Sequence, residues 1–282
     1  MNFFIVGTSK SGTTTLFETL SKHPGIFIPP RKGCLYFSCM PVSVSGRPPR
    51  SSKFVVQSLE EYRKLFKRAE PGQLCGDISP DYLYYYQNAV PKILDEINAQ
   101  VPIIIVLRNP IDRAYSHYLH HVREGWEKLS FDVALNAEKE RRAANYAWGY
   151  NYVDIGLYSE KVKAYMDNFE RVLLLLFEED IVTGQATDKI LDFLNLEPFP
   201  EAPDDIHANV SGYPQSRWLH RLMTDQLVVR KIKNVVKATP LDTTSKRVYR
   251  KVMEGNLRKE AMAPETRRIL KEKFQDDVAL LA

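Results

Sequence analysis

Three sets of residues in this chain have the types and spacing to do chemistry on an anion. The first is Gly7-Thr8-Ser9-Lys10-Ser11-Gly12-Thr13-Thr14-Thr15, directly after the apolar Phe3–Val6. A strand turning through such a loop into a helix aims backbone N–H groups, the positive end of the helix dipole and several hydroxyls at one point. That arrangement suits a phosphate. The second set is Arg108, Arg113 and Ser116, after the apolar Val101–Leu107. An arginine offers a planar donor fork to phosphate, and a serine just over two helical turns later can complete it. The third set could move protons: Asp77 in Gly76-Asp77-Ile78-Ser79-Pro80-Asp81-Tyr82, and His120, which stands beside His117 and His121.

The loop departs from the nucleotide triphosphatase pattern G-x-x-x-x-G-K-[ST], whose lysine follows the second glycine and whose hydroxyl holds magnesium. Gly7 and Gly12 have the right spacing, but Thr13 follows Gly12 and the lysine sits inside the loop as Lys10. The second apolar run ends in Arg108 where a metal-binding Asp would stand. Bare cations replace metal machinery, which weighs against a P-loop kinase or NTPase. His117 and His121 are four residues apart, but no third ligand stands near them, so no metal is expected.

The elements that must position these residues follow from periodicity. Phe3–Gly7, Ile103–Leu107 and Leu173–Phe177 read as buried parallel strands, each followed by a polar turn and a helical pattern. Amphipathic spacing predicts helices over Thr13–Ser21, Leu59–Phe66, Ala89–Ile97, Ile111–Arg123, Tyr158–Phe169, Asp188–Leu194 and Pro264–Val278. The expected fold is α/β: a central parallel sheet flanked by helices, with a P-loop-like strand-loop-helix at its start. One domain over residues 1–282 is expected, its helical C-terminal part covering about 217–282. Pro41–Ser52, rich in Pro, Ser, Gly and Arg, reads as an exposed loop.

Composition bounds the function. The chain has 282 residues, 44% hydrophobic and 26% charged, which rules out a disordered or fibrous protein. No apolar run approaches the roughly 20 residues of a membrane span, and the N-terminal strand leaves no basic signal region. Three cysteines are too few for a disulfide framework. A reducing, cytoplasmic setting without a membrane partner is the expectation. Net charge is only +4, yet residues 217–259 hold 12 Lys/Arg against 3 Asp/Glu. That stretch is either a solvated basic helical face or a surface for an anion such as a nucleotide phosphate, an acidic glycan or an acidic carrier protein. Nucleic acid is not expected, because no zinc-finger or RNA-binding motif accompanies the charge.

Lys10-Ser11-Gly12-Thr13-Thr14 resembles the 5′-phosphosulfate loop of sulfotransferases that use 3′-phosphoadenosine 5′-phosphosulfate (PAPS). Leu107-Arg108-Asn109-Pro110-Ile111-Asp112-Arg113-Ala114-Tyr115-Ser116-His117-Tyr118 resembles the family's R-x-P-x-x-R-x-x-S-x-Y segment. A looser likeness joins Gly156-Leu157-Tyr158 through Asp180-Ile181 to the G-x-Y…E-D-L stretch, and Phe193-Leu194-Asn195-Leu196 to its F-L-x-L helix end. The resemblance spans about residues 3–215 and is nearest the heparan-sulfate-like and bacterial members. It implies transfer of a sulfuryl group from PAPS, leaving 3′-phosphoadenosine 5′-phosphate (PAP), to a hydroxyl or amine. It also implies that Lys10 neutralises the leaving phosphate oxygen and that residues 11–15 cradle the 5′-phosphate. Arg108 and Ser116 would bind the 3′-phosphate, with Arg113 either a phosphate contact or a fold-stabilising group. No metal is required.

One departure matters. Many bacterial relatives carry K-E-x-x-F-F after the first helix, with a Glu or His as base. Here the stretch is Arg31-Lys32-Gly33-Cys34-Leu35-Tyr36-Phe37. Aligning Lys32 and the Tyr36-Phe37 pair leaves Gly33 at the acid position and Leu35 at the His position, and neither moves a proton. Asp77, which resembles the Glu of a G-E-x-S-P-x-Y segment, is the leading replacement; turn capping is its other reading. His120 is a second candidate base. A protein that binds nucleotide without turnover is the competing expectation. Tyr82, Tyr84–Tyr86, Trp126, Trp148, Tyr150 and Tyr152 either pack or wall an acceptor. The absence of a Golgi anchor leaves a cytosolic small molecule, such as a natural product, as the expected acceptor, and Asp77 as an acid beside the rings would prefer a cation over an acidic glycan.

Overall fold

The computed structural model describes residues 1–40, 56–200, 213–214, 257–258 and 260–281. The apolar runs become the centre of a parallel sheet. β1 (Phe3–Gly7) and β4 (Ile103–Leu107) are buried at every position, as strands covered on both faces must be. With β2 (Ile26–Phe27), β3 (Leu74–Ile78) and β5 (Val172–Leu176) they form one sheet in the order β2-β3-β1-β4-β5, every pair parallel.

Alternation of side chains along the strands builds two cores. On one face Phe4, Val6, Ile103, Ile105 and Leu107 pack with Ala89 and Ile93 of α3 (Tyr86–Glu96) and Val162 and Tyr165 of α7 (Ser159–Asn168). On the other, Phe3, Ile5, Ile104 and Val106 meet Leu16 and Leu20 of α1 (Thr13–Leu20) and Ile190 and Leu191 of α8 (Ala186–Phe193). A third cluster binds α4 (Pro110–Arg123) to α5 (Phe131–Asn136) and the C-terminal helix α9 (Pro264–Leu281), through Ile111, Ala114, Tyr118, Phe131, Leu270 and Phe274.

β1 lies between β3 and β4, so the chain completes one side of the sheet before crossing to the other. A crevice opens at the carboxyl ends of strands where such a reversal occurs. The loop after β1 and Arg108 after β4 both stand there.

Strands Phe3–Gly7 and Ile103–Leu107 coincide with the expected ones, and the third is offset by one residue. The seven expected helices are present with ends shifted by a few residues. The sequence pattern does not show the two-residue β2 or the six-residue α5 and α6 (Glu138–Ala143), which are too short for a clear period. The Pro41–Ser52 loop and the basic stretch up to residue 256 lie outside the described residues, as does the helical reading there; it is α9 that the structure describes. Among the described residues no helix is long and apolar enough to cross a membrane.

Candidate functional site

The loop after β1 is fastened to β4 on one side. Thr8 N–H donates to the Val106 carbonyl at 2.6 Å. The buried Ser11 hydroxyl lies 2.6 Å from the Thr8 carbonyl and 2.8 Å from that of Val106. Ser11 therefore offers a ligand its backbone N–H, because its hydroxyl closes the loop. Lys10 is left-handed at φ 71°, a conformation that costs a non-glycine residue about 1 kcal/mol. Its carbonyl accepts from Arg108 Nη1 at 2.9 Å, which holds that geometry.

Gly12 is the N-cap of α1 at φ 86°, and a Cβ there would stand 2.7 Å from Ile181 Cγ2. Both conformation and space require glycine. Among the described residues no side chain caps the helix, and its first turn holds no acid. The N–H groups of Thr13, Thr14 and Thr15 are thus left for an anion, at the positive end of the dipole, and the ladder begins with Leu16 N–H on the Gly12 carbonyl.

Cations converge on this helix start. Lys32 Nζ donates to Thr13 Oγ1 at 2.9 Å and to Thr14 Oγ1 at 2.8 Å. Burial, then repulsion from Lys10, lowers its pKa to about 7. Burial, then Arg123 and Arg108, lowers that of Lys10 to about 8, partly opposed by Glu124. Among the described residues neither ammonium has a carboxylate within 4 Å. Arg108 lies 4.3 Å over the Phe177 ring, with its buried Nε lacking a partner among the described residues. Concentrated positive charge, an orphaned guanidinium N–H and an open helix start fit an incoming phosphosulfate or phosphate.

Packing brings Lys32 here. Phe37 is fully buried, edge-on to Phe4 at 5.3 Å, and Tyr36 stacks on Tyr62 at 5.2 Å. Gly33 N–H donates to the Ile78 carbonyl at 3.2 Å and Cys34 N–H to Ser79 Oγ at 3.0 Å. The aromatic pair is thus an anchor that lays residues 32–34 along the end of β3. The sequence signal for Lys32 was its place before Gly33; its reach to α1 is a tertiary fact.

Asp77 does not stand where a base must. It pairs across the sheet with Phe4, three residues short of the end of β1, and is fully buried. Ser79 Oγ donates to its Oδ1 at 2.6 Å, and Tyr62 and Tyr82 hydroxyls donate to Oδ2 at 3.0 and 2.9 Å. Burial raises its pKa while those hydroxyls oppose the rise. Asp77 is the hub of a buried hydroxyl network, a correction to its reading as a base. The turn-capping reading holds, widened to two tyrosines.

His120 is half-buried near the end of α4, its Nδ1 2.9 Å from Arg123 Nη2. A guanidinium only donates, so Nδ1 accepts and is not free to take an acceptor's proton. Arg113 is fully buried: Nη1 lies 3.2 Å from His117 Nδ1 and Nη2 donates to the Tyr152 carbonyl. It braces α4 against Tyr152, its charge acts on Lys10 of the loop, and its buried Nε has no partner among the described residues. Ser116 is half-buried on α4, and Thr15 half-buried on α1.

His117 was read only for a metal, yet it links the loop to the aromatic patch. Its Nδ1 is 3.4 Å from Ser9 Oγ, and its ring is 6.0 Å from that of Trp148. Burial, then His121 and Arg113, lowers its pKa, so the ring is neutral. Trp148 stacks on Tyr84 at 5.4 Å with Tyr85 edge-on at 6.4 Å. Tyr82, Tyr150 and Tyr152 are core instead. Among the described residues no group of three or more His, Cys, Asp or Glu could hold a metal ion.

No family model matches the chain. It is 34% identical to a solved sulfotransferase from Alicyclobacillus acidocaldarius, with a TM-score of 0.64 over 73% of this chain and 86% of that one. Human heparan sulfate glucosamine 3-O-sulfotransferase 3B1 is 24% identical over 213 residues, 74% of this chain and 50% of that protein. Membrane-associated sulfotransferase kil1 of Dictyostelium discoideum is 30% identical over 130 residues, 45% of this chain and 24% of that protein. The chain spans about half the length of the heparan sulfate relatives it matches.

Proposed function

The chain belongs to the sulfotransferase family, and from that premise we propose that it moves a sulfuryl group from PAPS to a hydroxyl or amine of a small-molecule acceptor. When bound, PAPS supplies the activated sulfuryl group: the acceptor oxygen or nitrogen bonds to sulfur as the bond to the 5′-phosphate oxygen breaks, that oxygen keeps the electron pair, and one proton leaves the acceptor. Catalysis then rests on positioning and charge, as in phosphoryl transfer. Lys10 meets the charge growing on the leaving oxygen. N–H groups of residues 11–15 cradle the 5′-phosphate, with the Thr13 and Thr14 hydroxyls beside them. Arg108 and Ser116 hold the 3′-phosphate and so prefer PAPS over ADP-like nucleotides.

The observation that carries this reading is the pair Lys10 and Lys32 at an uncapped helix start, with no carboxylate in contact among the described residues. Such a site is unfavourable empty and favourable around an anion. Tyr84, Tyr85 and Trp148, across His117 from the loop, are the proposed acceptor wall. The sequence argument for a cationic acceptor rested on Asp77 and falls with its burial.

The test is sulfate transfer from PAPS to a panel of phenols, aliphatic alcohols and amines, following PAP release. Tight PAP binding with no transfer to any member would favour a non-catalytic nucleotide-binding protein. Magnesium-stimulated ATP hydrolysis without a 3′-phosphate preference would sink the proposal.

A further inference from the structure

Gly33 and Leu35 stand at the positions where the family pattern offers an acid or imidazole, and both are left-handed, at φ 78° and 60°. The residue before that turn is the one that reaches the site. Lys32 Nζ sits on the Thr13 and Thr14 hydroxyls, half-buried, at the amino end of α1. A helix N-terminus, the positive end of the dipole, is the wrong end for a cation. A second ammonium, Lys10, repels it there. Nothing in the free protein compensates this placement with a carboxylate in contact, among the described residues. A strut for α1 would not need a charge, whereas a ligand for an anion would.

We propose that Lys32 is a second donor-site cation, which contacts the 5′-phosphosulfate group directly and shares with Lys10 the charge left on the departing phosphate oxygen. The proposal rests on the PAPS reading of the site. Two ammoniums on the leaving group move the catalytic effort from nucleophile activation to leaving-group stabilisation, which suits a segment without a base at 33 or 35.

The experiment compares wild type, Lys32→Met and Lys32→Arg by calorimetric titration with two probes, PAP and adenosine 3′-monophosphate, which lacks the 5′-phosphate. Lys32→Met should bind PAP at least about 10-fold more weakly, adenosine 3′-monophosphate within about 2-fold of wild type, and Lys32→Arg should recover most of the PAP affinity. Unchanged PAP affinity in Lys32→Met, or equal weakening of both probes, would overturn the role of Lys32, the second result marking it as structural. Wild type that binds neither probe would overturn the donor-site reading itself. Thermal melts keep the comparison to folded protein, and Lys32→Met should melt no lower than wild type.

Discussion

Arg108 Nη1 donates to the carbonyl of Lys10 at 2.9 Å across 98 residues of sequence. The strand-end arginine thus fixes the backbone of Lys10, the residue proposed to meet the leaving oxygen. One side chain serves both loop shape and charge, because the carboxyl ends of β1 and β4 are adjacent.

Lys10→Ala and Arg108→Ala should therefore differ. The first removes the charge that meets the leaving oxygen, so turnover should fall by about 10² to 10³ and PAP, which carries that oxygen on its 5′-phosphate, should bind more weakly, while the melting temperature changes little. The second also releases the loop, so PAP affinity should fall by about 10-fold or more and the melting temperature with it. Kinetics, titration and melts on both variants check this; equal effects on all three would refute the division of roles.

Asp77→Asn should cost stability rather than chemistry. The amide presents N–H groups to hydroxyls that now donate to a carboxylate. A loss of about 1–3 kcal/mol is expected from urea melts, with turnover per folded molecule close to wild type. A fall in kcat of about 10² to 10⁴ at unchanged stability would restore Asp77 as a base.

Donor binding should take up protons. In the free protein Lys32 titrates at about 7 and Lys10 at about 8, each lowered first by burial. The groups acting on them are Glu18 on Lys32, and Arg108, Arg113, Arg123 and Glu124 on Lys10. A phosphate between the two lysines raises both values, so the bound state holds more protons above pH 7. PAP affinity should fall as pH rises from 7 to 9, with uptake of about one proton at pH 8. Titration in buffers of different ionisation enthalpy measures it, and pH-independent affinity would contradict it. The free protein follows the opposite sign: both lysines titrate below their unfolded value of 10.5, so their contribution to stability rises from about pH 7 to 10.5.

Restoring the family acid should fail. Gly33 is left-handed at φ 78°, where any side chain is strained by about 1 kcal/mol even though a Cβ would meet only Leu35 Cδ2, at an unstrained 3.9 Å. Gly33→Glu is expected to lower the melting temperature and leave turnover no higher than wild type. A faster enzyme would show that the backbone relaxes and that the missing base limits the rate.

Breaking the pair behind α4 should loosen the acceptor side. Glu127 and Arg141 are 2.6 Å apart with the Glu127 side chain buried, and Tyr152 donates to the same carboxylate at 2.9 Å. Glu127→Gln leaves a guanidinium without its counter-charge and should cost about 3 kcal/mol in urea melts. Sulfate transfer should fall more than PAP affinity, because residues 148–152 carry Trp148.

The sequence by itself determined the sheet's central strands, the helices after them and the anion loop. Each is a local statement: Phe3–Gly7 and Ile103–Leu107 are apolar throughout, and the Lys10–Thr15 spacing permits one kind of turn. That Lys10, Arg108 and residues 11–15 lie together was legible because they follow strand ends, where a parallel fold brings its loops together. Only the tertiary structure decided the fates of Asp77 and Lys32. Both belong to segments with polar residues near turns, and nothing in their spacing says which points inward. Asp77 turns into the core because Tyr62 and Tyr82, from other parts of the chain, arrive to donate to it. Lys32 turns onto α1 because Phe37 and Tyr36 are buried behind it. A side chain's partners depend on how the chain returns through space, which periodicity along the chain does not encode.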